Sequence, residues 1–205
     1  MRMFNADGSE GLMCGNASRC IGKYVHDKGL SDKLELSLDT LSGIRRLTLV
    51  PGQDGTVERV TVDMGEYRIV NPSLKIQAGG LSFEGISVDV GNPHFVLFVP
   101  DASAVDPSKY GPLIELNSAF PDRTNVEFVS LDAPGRMRMR VWERGSGVTL
   151  ACGTGACASA AAASQVYGGK RYQVVCDGGT LEVEVDGELR LSGPARTAFE
   201  GTIEI

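Results

Sequence analysis

One short pattern occurs twice in this chain, and it constrains the fold more than anything else in the sequence: a cysteine followed by glycine at the head of a helix-like stretch. Cys14-Gly15 opens a segment that runs to Gly29, and Cys152-Gly153 opens another that passes through an alanine run to Gly168 and Gly169. Asn or Thr next to each start suits a helix N-terminus, and the closing glycines suit a C-terminus. Two helices of about four turns are expected, each with a cysteine at its mouth. The flanks repeat as well. Nine residues before Cys14 stands Asn5, nine before Cys152 stands Glu143, and both sit in stretches that read as a strand end followed by a glycine turn.

Behind each helix come β-type segments, at 34–38, 44–50 and 56–64 in the first copy and at 172–176, 180–185 and 188–191 in the second. Alternation such as Leu-Glu-Val-Glu-Val gives strands with one wet face. A duplicated α/β unit accounts for this pattern. The copies differ upstream. Strands are expected at 86–90, 95–99, 125–131 and 136–142 before the second helix, but only a stub at 1–4 precedes the first. If the copies are equivalent, roughly 50 to 60 residues are missing from the front of the first, and its sheet would carry an unpaired edge. The proline, serine and paired glycines of 71–84 mark the boundary between copies, and 100–122 reads as a polar loop with a short helix at 113–118.

Composition excludes several classes. The formal net charge of -6 and pI near 5.0 argue against a nucleic-acid or anionic-membrane footprint. No apolar run approaches the roughly 20 residues needed to span a bilayer, and no signal-peptide pattern opens the chain, so a cytoplasmic protein is expected. Five cysteines at irregular spacing do not make a disulfide framework. Nor do they form a zinc knuckle, with only His26 and His94 to add imidazole ligands.

A thiol in the first turn of a helix lies among unpaired N–H groups and the positive end of the peptide dipoles, which favour its thiolate. A lone cysteine there reads equally well as a small buried hydrophobe. Two at matching places in a repeat fit a specific task. Inverting a carbon that bears hydrogen requires a base on one face and an acid on the other, and a thiol can serve as either near neutral pH. Gly15 and Gly153 would let the backbone approach a bound group, and the turn amides could hold a carboxylate while negative charge grows on it. The other signals stand open between site and scaffold. Gly91-Asn92-Pro93-His94 is a strand-ending turn or a pocket wall, and Arg123-Thr124-Asn125 is a ligand reader or a solvated turn. Glu143-Arg144 is an ammonium and carboxylate reader or a surface ion pair.

Taken together, NADGSEGLMCGNASRC at 5–20, GNPH at 91–94, RTNVEFV at 123–129, ERGSGVTLACGTGA at 143–156 and GPA at 193–195 resemble the diaminopimelate epimerase family over almost the whole chain. The resemblance implies an α+β fold of two pseudo-symmetric lobes, each a curled mixed or antiparallel sheet around a central helix. The lobes would span 1–78, incomplete at its front, and 79–205, with the substrate cleft between them. It implies interconversion of LL- and meso-diaminopimelate in lysine biosynthesis without pyridoxal phosphate, metal or any other cofactor, and it is compatible with a homodimer. Carried over by resemblance, Cys14 and Cys152 are the two bases, and His94 and Glu143 stand beside them near the reacting amino group. The backbone of Gly15, Asn16, Gly153 and Thr154 holds the reacting carboxylate, while Asn5, Asn92, Asn125 and Arg144 bind the distal end. The family's opening strand and Gly-Asn-Asp-Phe segment are not found here, which implies a shortened form. The alternatives are a proline or hydroxyproline racemase-like enzyme, or an inactive fragment that keeps the site residues.

Overall fold

The computed structural model describes residues 1–4, 8 and 10–204. In chain order the elements are β1 (Met3–Phe4), β2 (Glu10–Gly11), α1 (Gly15–Asp27), β3 (Glu35–Thr40), β4 (Gly43–Pro51), β5 (Val57–Glu66), β6 (Arg68–Ala78), β7 (Leu81–Asp89) and β8 (Pro93–Phe98), then α2 (Pro107–Glu115), β9 (Asn125–Ala133), β10 (Arg136–Glu143), β11 (Gly147–Thr149), α3 (Gly153–Tyr167), β12 (Arg171–Cys176), β13 (Gly179–Asp186) and β14 (Glu188–Pro194).

Both cysteine-headed helices form, and both start where the repeat places them. Cys14 caps α1 and Cys152 caps α3 with extended backbone, and Gly168, at φ +74°, ends α3. The short helix in 100–122 begins six residues earlier than the expected 113, because Asp106 accepts a hydrogen bond from the Ser108 N–H and Pro107 fills the first helical position. The boundary segment 71–84 is a hairpin: β6 and β7 pair across Gly79 and Gly80, whose φ values of +56° and +77° need glycine. Pro72 is tolerated inside β6 because that strand is a sheet edge and its register slips between Asn71 and Leu74.

The curled sheet expected in each lobe is not what the strands build. Twelve of them form one open mixed sheet in the order β3-β4-β5-β14-β13-β12-β10-β9-β8-β7-β6, with β11 on the side of β10. The physical reason is edge pairing. β5 bonds antiparallel to β14 and β6 to β7, so main-chain hydrogen bonding passes between 1–78 and 79–205 at two places. The end strands β3 and β6 do not pair with each other, and the sheet does not close.

α3 packs against strands from β6 to β14. Its alanines make that approach feasible, and residues 155–163 are all buried. On the other face of β8 and β9, α2 covers a second cluster of Phe95, Leu97, Val126 and Phe128 with Ile114 and Phe120, whereas Val96 and Val129 face α3. Covered on both faces, these parallel strands read as near-continuous apolar runs. Any polar side chain on them is therefore under strong constraint. Among the described residues, no helix is long and apolar enough to cross a membrane.

Candidate active site

The two helix mouths meet. A Cβ built on Gly153 would lie 3.5 Å from the Gly15 Cα, and one on Gly15 would lie 2.8 Å from a Leu191 methyl. The tight neighbour of both glycines is the same Leu191 methyl, 3.1 Å from a Cβ on Gly153, so a side chain at either position would press on Leu191 beneath the joint. Asn16 bridges the joint by donating Nδ2–H to the Ala151 carbonyl at 3.4 Å. Buried Arg19 braces it from behind, donating to Asn16 Oδ1 at 3.0 Å and to the carbonyls of Gly15 and Pro194 at 3.4 Å each. Arg19 follows Asn16 and Gly15 by three and four residues, so one helical turn delivers the guanidinium to both.

Each sulfur is the N-cap acceptor of its own helix. Cys14 Sγ accepts from the Ala17 N–H at 3.5 Å, and Cys152 Sγ from the Gly155 N–H at 3.3 Å. A thiolate is stabilised in this position by the donor and by the oriented peptide dipoles. The surroundings differ. Cys14 is half-buried, while Cys152 is 4 % exposed and also lies 3.4 Å from Thr154 Oγ1. Burial pushes the Cys152 thiol well above its ordinary pKa, and the carboxylates of Glu143 and Glu127 push it further. At neutral pH Cys152 is the protonated partner.

Cys14 and Cys152 line one cavity of about 470 Å³, together with Gly15, Asn16, Gly153 and Thr154. Glu143, Arg144, Asn92 and Asn125 form more of its wall. Glu143 accepts from Thr149 Oγ1 at 2.5 Å, which ties its carboxylate to β11. Asn125 is held on both sides, donating Nδ2–H to the Pro93 carbonyl at 2.9 Å and accepting the Arg144 N–H at 2.9 Å, so its side chain splices β8 to the 143–146 turn. Asn5 lies outside the described residues.

His94 does not reach the cavity. It is fully buried behind the wall, with Nδ1 2.7 Å from Glu127 Oε1 and Nε2 3.0 Å from Asn92 Oδ1. Strand alternation turns His94 toward α3, on the face shared by Val96 and Glu127.

Three residues were missed by sequence reasoning. Glu127 carried a signal, a carboxylate two residues after Asn125 in an otherwise apolar strand, since such a residue must find a buried partner. Arg19 carried none beyond its helical spacing from Asn16. Glu115 of α2 is buried and accepts from Trp142 Nε1 at 2.6 Å, from the Gly145 N–H at 3.1 Å and from Arg123. It anchors the 143–146 turn from behind and depends on a fold contact that no local pattern announces.

The diaminopimelate epimerase family model matches residues 1–70 and 86–197. A diaminopimelate epimerase of Phocaeicola vulgatus is 51 % identical over 220 aligned positions, which take in all of this chain and 78 % of that one. One from Parabacteroides distasonis is 49 % identical, covering 77 % of its length, and one from Methanococcus maripaludis is 42 % identical, covering 79 %. Among solved structures, a hydroxyproline epimerase from Agrobacterium vitis superposes with a TM-score of 0.72 at 17 % identity, over 94 % of this chain and 67 % of that one. A Bacillus anthracis phenazine biosynthesis protein of the PhzF family gives 0.68 at 15 %, over 94 % and 75 %. At such identities these structures share the fold alone.

Proposed function

This chain belongs to the diaminopimelate epimerase family, and from that premise we propose how it interconverts LL- and meso-diaminopimelate: by two-base proton transfer between Cys14 and Cys152. The observation that carries the reading is that two cysteines, each the N-cap of its own helix, line one cavity where those helices abut. One thiolate takes the α proton from one face of the carbon and becomes a thiol. The opposite thiol gives its proton to the other face and becomes a thiolate. Protons balance, no cofactor is consumed, and the enzyme is left in the mirror protonation state, ready for the reverse direction.

The negative charge that develops on the substrate spreads from the α carbon into the attached carboxylate. Free N–H groups of both helix starts, at Gly15, Asn16, Gly153 and Thr154, are the donors for it. Glu143 is suited to the reacting ammonium. Asn5, Asn92, Asn125 and Arg144 serve the distal ammonium and carboxylate, and a shorter amino acid would leave these polar groups unmatched. His94 acts through its neighbours. The test is solvent deuterium exchange at the α carbon, with the protein offered diaminopimelate, glutamate and proline in turn. Exchange confined to diaminopimelate is expected, and exchange with proline alone would overturn the substrate reading.

A further inference from the structure

The buried His94–Glu127 pair has no direct route to the cavity, yet one of its partners has. Asn92 lines the cavity, and its Oδ1 is taken by His94 Nε2 at 3.0 Å. A carboxamide oxygen can only accept, so this contact is a hydrogen bond when the Nε2 of His94 carries the proton. Glu127 Oε1 stands 2.7 Å from the opposite ring nitrogen and holds the imidazole in place, the two side chains being diagonal neighbours on one face of β8 and β9. With Oδ1 turned inward to the histidine, the amide group Nδ2 of Asn92 has no protein partner among the described residues and is left for the cavity. Its polarity there is that of a donor.

We propose that Glu127 is a positioning residue for substrate recognition: acting through His94, it fixes the Asn92 amide with its NH2 group toward the cavity, and so selects a carboxylate at that point. Two further features fit the assignment. Glu127 is fully buried, and its Oε2 has no hydrogen-bond partner among the described residues, an arrangement too costly to serve as filler where a leucine would do. Gly155 is glycine at the place where a Cβ would lie 2.7 Å from Glu127 Oε1, so the first turn of α3 leaves room for this carboxyl group. Burial also pushes the Glu127 carboxyl upward against the pull of His94, which favours a single proton shared between Oε1 and Nδ1 while Nε2 keeps its own. A reversed amide, with Oδ1 facing the cavity, would repel a carboxylate.

The proposal rests on the cavity being the diaminopimelate site, but its first test does not depend on turnover. Long-range proton–nitrogen correlation NMR on the unliganded protein reads the ring tautomers, and there are only two histidines to assign, with His26→Gln identifying His94 by elimination. A protonated Nε2 on His94 is expected. A bare Nε2 with protonated Nδ1 would overturn the proposal whatever the enzyme's activity. The second test is a kinetic cycle with Glu127→Met, Asn92→Ala and the double variant, compared at equal folded fraction. Glu127→Met should raise KM for diaminopimelate about tenfold with a smaller change in kcat, and should add nothing to the loss in Asn92→Ala, because both remove the same donor. Additive losses, or a fall in kcat at constant KM, would show that Glu127 does not work through Asn92.

Discussion

α1 and α3 perform the same task at the cavity but are built from opposite materials. α1 buries only Gly15, Ser18, Arg19 and Gly22 and leaves Tyr24 exposed, and it lies against β4, β5 and β14. α3 is buried from Gly155 to Ala163 and packs against strands from both flanks of the sheet. The difference at the sulfurs follows from the packing. Cys14 keeps contact with solvent, whereas Cys152 is desolvated and faces two carboxylates, Glu127 and Glu143. A repeated motif thus supplies two like groups, and unequal burial gives them unlike surroundings. A two-base reaction starts from one thiolate and one thiol, and desolvation favours the thiol form at Cys152.

Three experiments sharpen or break the contrast. The largest effect is expected in alkylation. Iodoacetamide, followed by mass mapping of the native protein, should modify Cys14 about 100-fold faster than Cys152, whose reaction awaits local opening. Equal rates would remove the asymmetry. Next is Gly155→Ala. The equivalent position in α1 is already alanine, Ala17, and each N–H donates to its cysteine. In α3 the added methyl would meet Glu127 Oε1 at 2.7 Å and the Cys152 Cβ at 3.2 Å, so a loss of about 1–3 kcal/mol is expected by urea unfolding, despite alanine's better helix propensity. A stabilised variant would mean that α3 is as loosely packed as α1.

The smallest effect is alkaline. Burial raises the thiols of Cys152, Cys157 and Cys176 above their ordinary value, Cys157 to about 12 and Cys176 to about 11. Below the unfolded pKa of 9.0 both states hold these protons, and stability does not depend on them. Above it the unfolded chain releases protons that the native state retains, so stability falls as pH rises from 9 toward 11. At pH 10 Cys157 and Cys176 each cost on the order of 1 kcal/mol. Cys157→Ala should flatten the urea midpoint's decline between pH 8 and 10, and an unchanged decline would contradict this.

Local chemistry was legible in the sequence. The Cys-Gly pairs located both helix starts to the residue, and the alternation along β13 and β14 gave their strands, because capping and burial period are written within a few residues. Connections that join distant residues were not. Nothing around Val60 announces that it pairs with Gly193, and that long-range edge, with the β6–β7 pairing, turns two expected sheets into one. Pro72 gives no sign of a strand in the sequence, because proline normally interrupts strands, but an edge strand with a register slip accommodates it. Of the proposed site residues, Cys14, Gly15, Asn16, Glu143, Cys152, Gly153 and Thr154 line one cavity. The burial of His94 could not be read from its motif, because facing direction in a strand flips with each residue and a motif does not say which way its histidine points. Glu127 became visible only when β8 and β9 were seen side by side.

The central claim is that Cys14 and Cys152 act on opposite faces of one carbon. Its most direct test is Cys14→Ser and Cys152→Ser, each assayed in both directions of epimerisation, with α-deuterium incorporation followed separately for the LL and meso isomers. Inversion should fall by about 10²–10⁴ in both variants, while the remaining cysteine still exchanges the α hydrogen of one isomer only, and of the opposite isomer in the two variants. Inversion that persists in either variant, or exchange of the same isomer in both, would contradict it.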